Sequence, residues 1–176
     1  MKVGQRQQIY QSFSLLLNYP SSDLVEQTRA TIDLLEKDYP QAAELIAQFL
    51  GFVEKTEFGR LEEIYTGTFD VNPACHIFAG HILFGESFKR NSFMAELAVE
   101  YEKQGFDTEK ELVDHIPLLF RFLCTVEPEE TIAIDLISEC LIPVFEKMNE
   151  NFKDDSTNPY MPVLRSTLIV LQELNQ

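Results

Sequence analysis

The chain has no tryptophan and only three cysteines, Cys75, Cys124 and Cys140, at spacings that do not repeat. An odd cysteine count without a Cys-x-x-Cys pair suggests neither a disulfide framework nor a thiolate metal clip, and it fits a reducing compartment. No apolar run approaches the roughly 18 residues needed to cross a bilayer. Lys2 and Arg6 precede an apolar stretch near the N-terminus, but Gln7, Gln8, Gln11, Ser12 and Ser14 interrupt it and no small-residue cleavage site follows. A secretory signal is therefore not expected, and a cytoplasmic location is.

Positive charge is scarce as well. Fourteen Lys and Arg face 29 Asp and Glu, a formal charge of −15. Such a surface repels nucleic-acid phosphates and anionic membranes, and leaves a cationic partner or plain solubility as the meaning of the acidity. Strand-like alternation, internal repeats and low-complexity tracts are also missing. What is present is a 45% hydrophobic composition with 14 Phe and 6 Tyr in 176 residues, enough for one domain, 1–176, with a full core.

Apolar positions recur at helical spacing. Ile9, Phe13, Leu16 and Leu17 mark a first helix, ended by Tyr19-Pro20 because the residue before proline is pushed out of the α region. Ser21-Ser22-Asp23 is a capping run for a second helix with Leu24, Ile32 and Leu35, which Tyr39-Pro40 stops. Ala43, Ile46, Ala47, Phe49 and Leu50 mark a third, closing near Gly51. Phe58, Leu61, Ile64, Tyr65, Thr68 and Phe69 trace a fourth, up to a break at Asn72-Pro73. The segment from there to Gly85 reads as a short helix or an irregular connection. Residues 86–104 carry Phe93, Leu97 and Tyr101 at four-residue steps, with Gly105 as the stop. Asp114 is placed to cap a helix with Pro117 in its first turn, where no intrahelical bond is lost. Ala133, Ile137, Cys140, Leu141, Val144, Phe145 and Met148 share one face of a helix that Pro143 should kink. Residues 149–158 read as a loop, and Leu164, Leu168 and Leu171 mark a last helix. The expected fold is all-α, a single-domain bundle of about eight helices.

The unusual residues gather in 65–122, which holds all three histidines, His76, His81 and His115. Residues 80–87, GHILFGES, have the spacing of a phosphate-binding G-x-x-x-x-G-K-[ST] loop, but glutamate stands where lysine is needed and no strand precedes it. Cys75, His76 and His81 are possible zinc ligands. Adjacent residues diverge on a helix, however, a five-residue step does not align two ligands, and no fourth is evident. Asp114-His115 resembles an acid–base pair, but sequence neighbours rarely face one another and no Gly-x-Ser-x-Gly elbow accompanies them. An aspartate cap followed by a first-turn histidine is the simpler reading. No catalytic, metal or cofactor constellation is expected. Glu86 and Arg90 stand four apart in the order that supports a helix, and Glu96, Glu100 and Glu102 make that helix acidic. Together with Tyr65, Phe69, Phe78, Phe84 and Phe88 they suggest an apolar groove with an acidic rim, suited to a basic, partly apolar peptide helix.

LLLNYP near residue 15, then YTGTFD, HILFGES-x-x-R, L-x-x-x-Y-x-x-x-G-F and ELVDHIPLLFRFL follow one another in an order that resembles a known family. It is the nitrate reductase delta-subunit family of assembly chaperones, the NarJ type, within the TorD/DmsD group of molybdoenzyme maturation factors. The likeness runs over nearly the whole chain and is weaker toward the C-terminus. It implies an all-helical, non-catalytic cytoplasmic chaperone that binds the N-terminal peptide of a molybdoenzyme catalytic subunit, often a basic twin-arginine leader or its remnant. The client would be kept competent for insertion of molybdopterin guanine dinucleotide, a cofactor that belongs to the client. The family's characteristic positions fall on Tyr65, Phe69, Asp70, Gly85, Glu86, Ser87, Arg90, Tyr101, Glu111, Leu112, Asp114, His115 and Pro117. The client-peptide set expected from the resemblance and the local chemistry is Tyr65, Phe69, Asp70, His76, Phe84, Glu86, Arg90, Tyr101, Asp114, His115 and Pro117. Val113 replaces the proline usual in ELPDH and Asn91 the glycine usual after the arginine, which opens the choice of client to related molybdoenzymes. The resemblance also implies a monomer or a domain-swapped dimer, with 149–158 as a possible hinge. An accessory subunit retained in the mature reductase complex and a small metal-binding protein are the alternative readings.

Overall fold

The computed structural model of the chain describes residues 3–71, 75–152 and 157–176. Among them are ten α-helices and no strand. Helices α1 (Val3–Leu17), α2 (Leu24–Leu35) and α3 (Pro40–Val53) come first. Next is α4 (Phe58–Tyr65), which runs on into a π-helical turn, Thr66–Asp70. A short α5 (Ala79–Phe84), α6 (Phe88–Lys103) and α7 (Ile116–Leu123) form the middle of the chain. Then α8 (Thr131–Asp135), a second π-helical turn (Leu136–Leu141) and α9 (Ile142–Asn151) form one continuous rod, and α10 (Met161–Leu174) ends the fold.

The bundle is α1, α2, α3, α7, α9 and α10 around a common core, with α1 against α2 and α7, and α10 against α3 and α9. Hydroxyls tie its layers: Ser14 Oγ donates to Pro117 O at 2.9 Å and Ser166 Oγ to Ala42 O at 3.0 Å. Beneath the π-helical turn after α4, Tyr65, Phe69, Phe49 and Tyr160 pack as an aromatic knot with ring centres 4.9–5.9 Å apart. The Tyr65 hydroxyl donates to Leu17 O at 3.0 Å. A second knot joins Tyr101, Phe106 and Phe122, with centres 4.6–5.4 Å apart. Aromatic pairs of this kind add to the burial of their own area.

Most expected boundaries hold, and the exceptions have local causes. The third helix passes through Gly51 to Val53, because Gly51 lies within a segment whose apolar face continues to the buried Val53. Asp23 takes the N-cap position of α2 without a side-chain cap bond, and the Leu24 amide donates to Ser21 O instead. The region before Gly85 does contain a helix, α5. Pro143 lies in the first turn of α9, directly after a π-helical turn, and the helix runs through it without a break. The expected loop from 149 starts later, because α9 runs to Asn151; the break at Asn72-Pro73 and residues 153–156 of the candidate hinge lie outside the described residues.

Truncating a member of the first knot should be costly. Phe69→Ala is expected to lower unfolding free energy by about 3–5 kcal/mol in urea titrations. Phe88→Ala, at a side chain 83% exposed, should stay within about 0.5 kcal/mol.

Candidate functional site

Two segments far apart in sequence meet edge to edge beside α6. The Ala79 amide donates to Asp114 O at 2.8 Å and the Ile116 amide to Ile77 O at 2.9 Å, an isolated antiparallel bridge centred on Phe78 and His115. It sets the N-terminal ends of α5 and α7 side by side and leaves the Asp114 side chain fully buried. Arg90, in the first turn of α6, answers it: Nε donates to Asp114 Oδ2 at 3.0 Å and Nη1 to Glu86 Oε1 at 2.8 Å. The guanidinium also sits 5.9 Å from the centre of the Phe78 ring. Arg90 is 14% exposed and Glu86 77%, so the pair forms a graded relay from a buried carboxylate to a solvated one.

Two glycines make this arrangement possible. A Cβ at Gly80 would lie 2.8 Å from Asp114 Oδ2 and 3.0 Å from Arg90 Cγ, so no larger residue fits beside the pair. Gly85 has φ +62° and ψ −160°, a conformation open essentially to glycine, and it turns the chain from α5 into α6. The backbone donors of this glycine stretch are already engaged, Gly85 N–H on His81 O and His81 N–H on Phe78 O, so it does not cradle a phosphate.

The histidines flank the relay. His81 Nδ1 lies 3.1 Å from Glu86 Oε1, and the His76 and His81 rings meet edge to face at 4.3 Å. Hydrogen bonding to His81, then the Arg90 charge, hold the Glu86 carboxyl below its usual range. His115 stacks 5.5 Å from Phe78, and burial holds its imidazole pKa below 6.5 despite the attraction of Glu111. The thiols are quiet: burial pushes Cys75 and Cys140 up to about 12 and Cys124 to about 11, which disfavours the thiolate needed for metal binding or attack. Among the described residues no group of three or more His, Cys, Asp or Glu is arranged to hold a metal ion.

Asp114 does not cap α7. His115 takes the N-cap position without a side-chain cap bond, and Pro117 is in the first turn of a helix that starts at Ile116. The Asp114 carboxylate is drawn instead to a nearly buried guanidinium, and the bridge serves the backbone at the helix start. Glu86 likewise stands just before α6 rather than inside it, with Ser87 in the N-cap position.

The residues expected to contact a peptide therefore divide. Tyr65, Phe69, Tyr101, Asp114, His115 and Pro117 are buried, with the Tyr101 hydroxyl donating to Val113 O at 2.9 Å. Asp70, Phe84 and Glu86 are exposed, and His76 and Arg90 are partly so. Of these, Phe84 borders an apolar recess, a cavity of about 750 Å³ between α6 and the α8 rod. Its floor is Leu97, Leu136 and Cys140, its wall includes Phe93, and its carboxylates are Glu96, Glu100, Asp135 and Glu139. Of the residues expected to form an acidic-rimmed groove, Phe84, Glu96 and Glu100 line this recess; Phe78, Phe88 and Glu102 do not, Tyr65 and Phe69 belong to the core, and the second wall comes from residues 132–140. The acidic i, i+4 pair Asp135 and Glu139 was the available signal for that wall.

The family model for the nitrate reductase delta subunit matches residues 33–163. A Bacillus subtilis protein described as a probable nitrate reductase molybdenum cofactor assembly chaperone NarJ is 28% identical over 180 residues, covering 99% of this chain and 94% of that one. A crystal structure from Archaeoglobus fulgidus, described as a redox enzyme maturation protein, superposes with TM-score 0.60 at 21% identity, covering 94% of this chain and 93% of the other. At that identity the likeness concerns the fold alone.

Arg90→Met should cost about 3–5 kcal/mol, since it strands the buried Asp114 charge, whereas Glu86→Gln should leave stability nearly unchanged. Urea titrations of both variants decide it. His115, neutral when buried, binds its proton more weakly folded than unfolded, so its contribution to stability is present above pH 6.5 and is lost as pH falls below 6.5 toward the depressed folded value. Unfolding free energy measured between pH 7.5 and 5.5 should fall with acid, and His115→Phe should flatten that slope.

Proposed function

The chain belongs to the nitrate reductase delta subunit family, and on that premise we propose that it is a non-catalytic, cytoplasmic assembly chaperone for a molybdoenzyme catalytic subunit. It binds the basic N-terminal peptide of that subunit, a twin-arginine leader or its remnant, and keeps the subunit competent for cofactor insertion and complex assembly. Molybdopterin guanine dinucleotide belongs to the client, and this chain holds no cofactor of its own. No helix among the described residues is long and apolar enough to cross a membrane, in keeping with a protein that meets its client in solution.

One observation carries the reading. Family positions from separate segments, Glu86, Arg90 and Asp114, converge on one ion-pair relay, with His115 in the backbone bridge beside it, in a chain of charge −15. Asp70, His76, Phe84, Glu86 and Arg90 form the contact set, while Tyr65, Phe69, Tyr101, Asp114, His115 and Pro117 shape the surface from beneath. A cationic peptide gains from the long-range field on approach and from apolar burial once docked.

Calorimetric titration with a synthetic peptide from the N-terminus of the molybdoenzyme catalytic subunit encoded beside this chain is the test. Binding at about micromolar Kd or tighter, weaker at higher salt, is expected. Co-purification should recover the cofactor-free subunit only; recovery of the loaded enzyme would make this an accessory subunit instead.

A further inference from the structure

We infer that two copies of this chain associate through the first turn of α6, the Phe88 ring of each entering a recess of about 480 Å³ beside Arg90, Met94 and Leu112 of the other. The contact itself does not depend on the chaperone reading. Its consequence does, because Glu86 and Arg90 line the same recess, and a copy seated there covers part of the surface assigned to the client.

Phe88 is 83% exposed, the highest value among the large apolar side chains of the described residues. A single apolar residue at the surface would mean little. This one stands at the edge of a recess it does not fill, and Leu112, 48% exposed, lines the same recess. The loop before α7 imposes that exposure. Glu109 and Lys110 both take left-handed backbone, φ 53° and 73°, which is costly for residues with a side chain. The Arg121 guanidinium holds the turn through both oxygens of Glu109, at 2.8 and 3.2 Å, and the Leu112 carbonyl accepts the His115 amide at 3.0 Å.

The lining selects the occupant. Arg90 and Met94 are one helical turn apart on α6, and the guanidinium already lies over Phe78, 5.9 Å from the ring centre. A second ring gains a cation–π contact with Arg90 and a sulfur contact with Met94 while covering Leu112. The recess therefore takes an aromatic side chain, and every copy carries one at its edge.

Charge favours a second copy over another partner bearing an aromatic residue. Chains of charge −15 repel one another, so association needs a face where both signs occur. Glu86 is 77% exposed, and its contacts with Arg90 and His81 both fall on Oε1, which leaves Oε2 for a further cation. Lys89, next to Phe88, is exposed and has no ion-pair or hydrogen-bond partner among the described residues. Seating Phe88 in the opposite recess carries Lys89 toward the opposite Glu86, and symmetry repeats the pair. Such a patch is self-complementary, as an isologous interface requires.

Sedimentation velocity over about 5–200 µM tests this on the wild type, Phe88→Ala and Leu112→Glu, with Phe58→Ala as a control at another exposed ring. Melting curves verify that all fold. The wild type should pass from monomer to dimer across that range, and both interface variants should weaken association about tenfold or more, the control less than about twofold. Under mild oxidation a mixture of Phe88→Cys and Leu112→Cys chains should form a disulfide-linked pair, and a mixture of Phe58→Cys and Leu112→Cys chains should not. The client peptide should return the dimer to monomer. A wild type still monomeric at about 200 µM overturns the inference, and so does a dimer that ignores Phe88→Ala and Leu112→Glu, as one formed by exchange of helices would. Client peptide that binds the dimer without dissociating it overturns the masking. If the dimer behaves as expected and the client peptide binds neither form, the self-contact stands and the chaperone reading falls; if the wild type stays monomeric and the peptide binds, the reverse holds.

Discussion

The region that distinguishes this molecule from a plain helical bundle depends on the burial of one carboxylate, Asp114, against one guanidinium, Arg90. Neither charge would be tolerated at that depth alone, because desolvation costs several kcal/mol per ion, so each residue dictates the other's place. Three consequences follow from this pairing. Gly80 has to be glycine for the pair to fit, α6 is anchored by its first turn, and Phe78 is covered by the same guanidinium that neutralises Asp114. Arg90 is suited to the task because its planar fork reaches Asp114 through Nε and Glu86 through Nη1 at once, which a lysine cannot do.

The bundle was legible in the sequence because its helices carry strong apolar periodicity and are punctuated by Pro20, Pro40 and Gly105. The all-α class and the faces through Phe13, Phe49, Phe145 and Leu171 needed nothing beyond spacing. The site was harder to read. Asp114 before a helix looks like a cap in any local reading, and only the return of the chain past Gly80 and Arg90 makes it a buried ion partner. Local rules favoured the cap because capping is a contact within a few residues, whereas Arg90 lies in another helix. Tyr65 and Phe69 misled in the opposite sense. Their clustering in a motif-rich stretch suggested a surface, yet Tyr160, from far along the chain, closes over them.

The recess between α6 and the α8 rod shows the same limit. One wall was visible as Glu96 and Glu100 on a helix of low apolar content. The other required knowing that residues 132–140 fold back beside it, a tertiary fact with no local trace beyond an acidic i, i+4 pair. Charge and apolarity could be read separately along the chain, but their juxtaposition could not.

The backbone bridge between Phe78 and His115 has a consequence for modularity. The chain leaves the bundle after Phe78 and re-enters it at His115, so everything between is an excursion whose two ends are fastened together by their own clasp. A segment closed in this way can change in length at little cost to the bundle, because loop-closure entropy grows only slowly with length and the ends keep their register. The excursion is nonetheless pinned at Gly80 and Arg90 against Asp114 and at Tyr101 against Phe122. Within such an architecture one bundle can be retuned to different partners by rewriting the exposed positions of α6 and the loop after it, with the clasp, Gly80, Arg90, Tyr101 and Asp114 as the parts that must stay.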